Sequence, residues 1–420
     1  MEWREPNLKA ILVIVDGMAD RPIKELGWKT PLEATRKPTL DQLAKTGVCG
    51  IIDPISPGRP VGSDTATLAL LGYDALKVYS GRGALEALGS GVEVSKGDIA
   101  FRCNFATVNE NFVVLDRRAG RIESEEATKL AESLQRVKLK KPVNVKFLFK
   151  NTIQHRAVLV LRGSDWSTAI SDSDPGEAGE RVQETRPLNG GRKAVVTARV
   201  VNRLLSEFHK VLEKHPVNKG RVECGKPPAN MVLCRGAGTV PRIESLPKTY
   251  SVKAACVGAT ALIKGVCKAA GMELIHVAGA TGTFQTDYLV KAKAAAQALQ
   301  QHDFVLLHLK AADVASHDGN VRQKIEAIEK IDGMLSYLLK NINISSTCVA
   351  VTADHTTSLL TGKHEGDPVP IAIAGPNVRI DDVVEFGERS CAKGGLNRIR
   401  GLDLMPILMN LLGKTKIFGA

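Results

Sequence analysis

Ala10-Ile-Leu-Val-Ile-Val15, closed by Asp16-Gly17, is an unbroken apolar run rich in β-branched residues. A strand covered on both faces reads this way, because none of its positions needs to face water. The run fits a buried parallel strand that delivers Asp16 to the carboxyl edge of a sheet. Three later runs are of the same kind: Phe304-Val-Leu-Leu-His-Leu309, Cys348-Val-Ala-Val-Thr352 and Pro370-Ile-Ala-Ile-Ala374. Helical stretches separate several of them, notably Leu289 to Gln300 and Val321 to Leu339. Strands alternating with helices predict a doubly wound α/β domain, with ligands outside the carboxyl ends of the strands.

The middle of the chain has another texture. Between about Tyr79 and Leu246 the strand-like pieces are short: Ile99–Cys103, Phe112–Leu115 and Ala157–Leu161. Turn-rich segments such as Asp172-Ser-Asp-Pro-Gly and Asn189-Gly-Gly lie between them. One amphipathic helix is expected near Ala194 to Leu212, with Val201, Leu204, Leu205, Phe208 and Leu212 at helical spacing. The expectation is an α+β cap over 79–246, inserted into an α/β domain made of 1–78 and 247–420.

Composition narrows the function. The chain has 420 residues, 44% of them apolar, and no apolar run of membrane-spanning length. The start, Met1-Glu-Trp-Arg-Glu-Pro, is mixed in charge, and the apolar run after it is too short for a signal-peptide core, so a cytoplasmic location is expected. The eight cysteines, at 49, 103, 224, 234, 256, 267, 348 and 391, form no C-x-x-C pair. They read as small buried hydrophobes of a reducing compartment rather than a zinc site or disulfide framework, and only a thermophile would leave room for a stray disulfide. The net charge is +12, and Arg181 to Arg221 holds ten Lys/Arg against three Glu. No nucleic-acid motif accompanies that stretch and aromatics are scarce, so the favoured reading is a solvated helix face, and the middle reading is a positive potential that helps draw in a small anionic substrate.

Candidate chemistry lies at the strand ends. Asp313 and His317 are four apart, one turn of a helix, so a carboxylate and an imidazole share a face and can chelate one divalent ion. Asp354-His355 leaves the Cys348–Thr352 strand, and His364 follows in the loop Gly362-Lys-His-Glu-Gly-Asp. Ser63 stands at the start of the helical run Gly62-Ser-Asp-Thr-Ala-Thr-Leu-Ala-Leu-Leu-Gly72. That place suits an N-cap, and it equally suits a phosphate, since helix-end N–H groups bind anions. Serine is a weak nucleophile without a base or metal, and no G-x-S-x-G elbow is present. Neither a G-x-x-x-x-G-K-[ST] loop nor a complete G-x-G-x-x-G occurs, which disfavours a nucleotide-dependent kinase or dehydrogenase. Asp16, Ser63, Asp313, His317, Asp354, His355 and His364 together read as a two-metal phosphoryl-transfer site.

In these motifs the chain resembles the cofactor-independent (2,3-bisphosphoglycerate-independent) phosphoglycerate mutases of archaeal type, within the alkaline phosphatase superfamily. The matching stretches run nearly end to end. They include Val15-Asp-Gly-Met-Ala-Asp20, Gly62-Ser-Asp-Thr-Ala66, Leu71-Gly-Tyr-Asp74, Tyr79-Ser-Gly-Arg-Gly83 and Phe101-Arg-Cys-Asn104. His155-Arg156, Arg235-Gly-Ala-Gly238, Lys310-Ala-Ala-Asp313, Ser316-His-Asp-Gly319 and Ala353-Asp-His-Thr356 match as well. The resemblance implies an alkaline-phosphatase-like sheet with an inserted cap, and two divalent ions (Mn²⁺, Mg²⁺, Co²⁺ or Zn²⁺) with no 2,3-bisphosphoglycerate. Asp313, His317 and His364 would hold one ion. Asp16, Asp354 and His355 would hold the other, with Ser63 as nucleophile and adjacent ligand.

The implied reaction moves a phosphoryl group between the 3- and 2-hydroxyls of glycerate through phosphoserine, a step of glycolysis and gluconeogenesis. Glycerate must stay bound while water is kept out, and the cap would answer that demand. His155 and Arg156 are the leading substrate contacts, with Arg82, Asn104 and Arg235 behind them and Arg117 and Arg121 weakest. The chain departs from the family pattern at Gly176, where histidine is usual, and across Gly279–Asp287. The alternative within the superfamily is a phosphatase, or a mutase for another small phosphorylated acid or sugar. A basic RNA-binding protein that kept only the fold would have no need of all seven site residues.

Overall fold

The computed structural model describes residues 8–139, 145–417 and 419. The charged start Met1–Pro6 lies outside the described residues. The chain divides into two compact units, Met1–Tyr79 with Arg242–Ala420, and Ser80–Pro241. Strands β1 (Lys9–Val15) and β2 (Gly47–Asp53) belong to the first pass through unit one. Unit two contributes β3 (Ile99–Val108), β4 (Val114–Asp116), β5 (Phe147–Ile153), β6 (Arg156–Leu161) and β7 (Met231–Gly238). The return to unit one adds β8 (Ala254–Val257), β9 (Glu273–Leu274), β10 (Phe304–Leu309) and β11 (Thr347–Thr352). It ends with β12 (Thr356–Ser358), β13 (Lys363–Glu365), β14 (Val369–Ala374) and β15 (Asn397–Arg400).

Unit one is an α/β fold around an eight-stranded sheet of order β15-β2-β14-β11-β1-β10-β8-β9. β1 lies between β10 and β11, parallel to both, so the carboxyl ends of all three reach the same edge. Every residue of β10 and β11 is buried, as an unbroken apolar run requires. β14 corrects the expectation of a fourth parallel strand. It runs antiparallel to both β11 and β2. Burial on both faces produces the same apolar run in either direction, so the run could not reveal the reversal. The helices Tyr288–Gln301 and Val321–Lys340 occupy the two expected helical stretches.

Unit two is an antiparallel sheet of order β4-β3-β6-β5, with β7 paired to β3. The 23-residue helix Arg192–Lys214 buries Ala194, Val201, Leu204, Leu205, Phe208 and Leu212 along one stripe. Phe208 meets Phe149 of β5 at 5.2 Å between ring centroids, so the helix seals one face of that sheet. Among the described residues, no helix is long and apolar enough to cross a membrane.

Candidate metal and phosphoryl-transfer site

Three strand ends build the site of unit one. Asp16 follows β1, and its N–H bonds Leu309 O of β10 at 2.8 Å, which fixes the turn. Gly17 must follow it. Its φ is +63°, and a Cβ there would lie 2.5 Å from Thr357 Oγ1 and 2.8 Å from Asp313 Cβ. Gly17 N–H donates to Asp354 Oδ1, drawing the loop after β11 onto the same edge. The helix Ala311–His317 begins directly after β10 and brings His317 Nε2 within 3.3 Å of Asp313 Oδ1. His364, on β13, lies 3.5 Å from that same oxygen.

The donors form two clusters, Asp313/His355/His364 and Asp16/His308/Asp354, with ligand atoms within 4.8 Å of one another in each. This grouping differs from the one the resemblance implied. His355 faces both carboxylate sets: its Nε2 is 3.3 Å from Asp16 Oδ1 and 3.5 Å from Asp354 Oδ2, and its ring stacks on His364 at 3.7 Å. His308 went unremarked in the sequence, yet a lone histidine inside the apolar run Phe304–Leu309 was the available signal. Asp16 Oδ1, Asp354 Oδ2 and His308 Nε2 are all buried without a hydrogen-bond partner. Buried polar atoms are rarely left so, and oxygen and imidazole donors converging at this spacing fit a divalent ion.

The ring orientations agree with that reading. His317 and His364 each place Nδ1 2.7 Å from a main-chain carbonyl, of Gly362 and Val61 respectively. Thr357 Oγ1 donates to Asp313 Oδ1, so it accepts from His355 Nδ1 at 3.0 Å. Nδ1–H donation leaves each Nε2 turned toward the carboxylates, the usual way a second contact orients a metal-binding imidazole. Ser63 is the first residue of the helix Ser63–Leu70, with Gly62 as its cap. Its hydroxyl makes no capping bond and lies 3.2 Å from His355 Nε2.

Unit two gathers arginines. Arg102 stands opposite Arg235 on β3 and β7, and Asn104 stands opposite Arg156 on β3 and β6. Glu86 lies 3.4 Å from Arg82 and 3.3 Å from Arg102. Burial, joined by the nearby charges of Arg235, Arg82 and Arg156, pushes the Arg102 guanidinium down to about 10 against the pull of Glu86. Arg102 was quoted within a sequence motif but not singled out. Arg117 makes a bidentate pair with Asp174, while Arg121 is exposed and has no ion-pair partner among the described residues. Asn104 Oδ1 and His155 Nδ1 are buried without partners. Burial and the charges of Arg156, Arg118 and Arg102 hold His155 down at about 4, hence neutral.

Comparison with known proteins places the chain. The family model described as 2,3-bisphosphoglycerate-independent phosphoglycerate mutase matches residues 44–218. A protein of that name (numbered 1) from Methanocaldococcus jannaschii is 48% identical over 412 residues, covering 98% of this chain and 99% of the relative. One from Thermococcus kodakarensis is also 48% identical over 98% of this chain and 99% of its own length. The chain belongs to the 2,3-bisphosphoglycerate-independent phosphoglycerate mutase family. It is an enzyme of that family, with the fold of its solved members. The cofactor-independent phosphoglycerate mutase of Thermoplasma acidophilum superposes with a TM-score of 0.69 at 38% identity, over 97% of this chain and all of the other. A structure from Pyrococcus horikoshii reaches 0.86 at 40% identity over 99% of this chain and all of the other.

The electrostatics of this family member are set by one further residue. Lys310 Nζ reaches Asp16 Oδ2 at 2.9 Å and Asp313 Oδ2 at 2.6 Å, joining the two donor clusters. Against their burial, that ammonium holds Asp16 down at about 2, and hydrogen bonds from His317 and His364 together with Lys310 hold Asp313 lower still. Burial beside Asp16 lifts Asp354 to about 6 against the pull of His355 and Lys310. Burial alone would lower His355, but the Asp354 and Asp16 carboxylates raise it to about 9. Burial keeps His308 at about 4, so its ring is neutral.

Proposed function

We propose that this chain interconverts 3-phosphoglycerate and 2-phosphoglycerate through a phosphoserine at Ser63, as a cytoplasmic step of glycolysis or gluconeogenesis. The observation that carries the reading is the position of Ser63 Oγ: at a helix N-terminus, 3.2 Å from the imidazole that faces both donor clusters. Asp313, His317 and His364 would hold one divalent ion, and Asp16, Asp354 and His355 the other, with His308 as an added donor on the second. Bound there, two ions lower the pKa of the serine hydroxyl and offset charge on the transferred phosphoryl oxygens. Ser63 attacks the phosphorus of 3-phosphoglycerate and glycerate leaves with the bridging oxygen. The free N–H groups of the Ser63–Leu70 helix then stabilise the phosphoserine. The glycerate 2-hydroxyl reclaims the phosphoryl group, so neither 2,3-bisphosphoglycerate nor a nucleotide is required.

We assign substrate recognition to Arg82, Arg102, Arg156 and Arg235, with Asn104 and His155 beside them. Glu86 and Asp174 only partly offset these four arginines. An anion would relieve the remainder, and guanidinium forks suit carboxylate and phosphate. The test couples the reaction to enolase, using metal-stripped protein with and without Mn²⁺, and follows free phosphate in parallel. Restored 2-phosphoglycerate with little phosphate supports the mutase. Phosphate without isomerisation would reassign the chain as a phosphatase. Ser63→Ala should abolish transfer, by at least about 10³-fold, while calorimetric Mn²⁺ binding persists.

A further inference from the structure

The cysteines, scattered in sequence, come together in space. Cys103 and Cys234 stand directly opposite each other on β3 and β7, with Sγ atoms 3.1 Å apart. In unit one Cys256 on β8 lies near Cys267 on the helix Ala261–Ala269, and Cys49 on β2 lies near Cys391 on the helix Glu388–Cys391. All six are buried; of the remaining two, Cys348 donates to Pro376 O and Cys224 is exposed. None of the six serves the proposed chemistry. Nor do they suit a metal, since among the described residues the only clusters of three or more donors are the two around Asp16 and Asp313.

We propose that Cys103 and Cys234 form a disulfide in the mature protein, a cross-link between positions 131 residues apart. The ladder already supplies the geometry. Residues directly opposite on antiparallel strands have Cα atoms about 4.5 or 5.5 Å apart. Both values lie inside the roughly 4.4–6.8 Å that a disulfide spans, and the sulfurs need only close to about 2.05 Å. The local register is regular here: Cys103 pairs with Cys234 and Asn104 with Leu233, while the irregularity lies between Ala100 and Arg102.

The bond joins the two strands that carry Arg102, Asn104 and Arg235. It also anchors the loop behind them, because Cys234 O accepts from Ser173 N and Cys234 N donates to Ser173 Oγ. In the folded protein both sulfurs are sealed, and hydrogen bonding to Cys103 together with burial keeps the Cys234 thiol protonated and inert. Oxidation therefore accompanies folding, by exchange with a disulfide such as oxidised glutathione or a dithiol oxidoreductase. One cysteine first forms a mixed disulfide and releases one thiol. The second thiolate then attacks that sulfur and expels the other thiol, so two protein thiols are oxidised and one external disulfide is reduced.

The full chain is unfolded under reductant and refolded in glutathione buffer, either oxidising or fully reducing. It is then denatured, alkylated, digested and mapped by mass spectrometry. The expected result is a Cys103 peptide joined to a Cys234 peptide, two hydrogens lighter than the separate pair and split by reductant. Oxidised protein should melt about 10 °C above reduced protein, and the double variant Cys103→Ser/Cys234→Ser should lose most of that difference. Complete alkylation of both cysteines after oxidising refolding would overturn the proposal, as would a cross-link from either to another cysteine. The wild-type peptide map decides the matter even if the variant fails to fold.

Discussion

Lys310 places a single ammonium where two carboxylates, Asp16 and Asp313, would otherwise face each other in a buried pocket. The same charge opposes any divalent ion bound by those carboxylates. Lys310→Met should therefore tighten Mn²⁺ binding, by on the order of tenfold. The metal-free protein should become less stable at the same time, because the buried carboxylates lose their counter-charge. Calorimetric titration and melting of the metal-free variant read the two effects separately, and weaker Mn²⁺ binding would show that Lys310 holds the ligands in place instead. His308 makes the opposite case. A neutral imidazole beside Asp16 and Asp354 adds a donor, so His308→Gln should weaken one of two Mn²⁺ binding events by about 10- to 100-fold and leave the other nearly unchanged. Equal weakening of both events would remove His308 from the second ion.

At the scale of elements, the strand ends were readable and their neighbours were not. The runs Ala10–Val15 and Cys348–Thr352 announced buried strands, and an acidic residue just after such a run belongs at a sheet edge. The direction of β14 was hidden because burial on both faces gives one pattern for either orientation. Which lone pairs meet was hidden as well, since His308 and Lys310 reach Asp16 through the register of β1 against β10, and only the Lys310–Asp313 contact, three residues apart, is a sequence spacing. A third hidden support is Glu388, at the start of the helix Glu388–Cys391. Its carboxylate accepts from Asp20 N and Thr30 Oγ1, holding the turn that follows Asp16. Burial lifts it from the ordinary 4.5 to about 7. Between those values the folded protein keeps a proton that the unfolded chain releases. Its contribution is thus fully present below about pH 4.5, declines as pH rises and is lost above about pH 7. Glu388→Gln should remove that slope and make the protein more stable than wild type at pH 8, by up to about 2 kcal/mol after allowance for partial exposure. Urea unfolding at pH 5 and pH 8 checks it; parallel profiles for the two proteins would count against the assignment.

At the scale of the whole molecule, the sequence changes texture near Tyr79 and Leu246, since short strands between turns cannot continue a doubly wound sheet, while the contacts divide the chain after Tyr79 and after Pro241. Unit two carries a core of its own under the helix Arg192–Lys214. Its ends are adjacent: Ser80 Oγ donates to Thr239 O, and Gly81 runs so close to Ala237 that a Cβ would lie 2.1 Å from its carbonyl oxygen. A unit whose chain enters and leaves at one place can be removed without pulling its host apart. Deleting residues 80–241 and joining Tyr79 to Arg242 through a short Gly-Ser linker should leave unit one folded, since both donor clusters and Ser63 lie within it. The shortened protein should bind Mn²⁺ within about threefold of the full chain. It should lose conversion of 3- to 2-phosphoglycerate altogether, because Arg82, Arg102, Arg156 and Arg235 leave with the deleted unit. Circular dichroism, calorimetric Mn²⁺ titration and the enolase-coupled assay give three independent readings. Retained isomerisation would take substrate recognition away from the arginine cluster, and loss of Mn²⁺ binding in a folded protein would show that the donors need the second unit to keep their places.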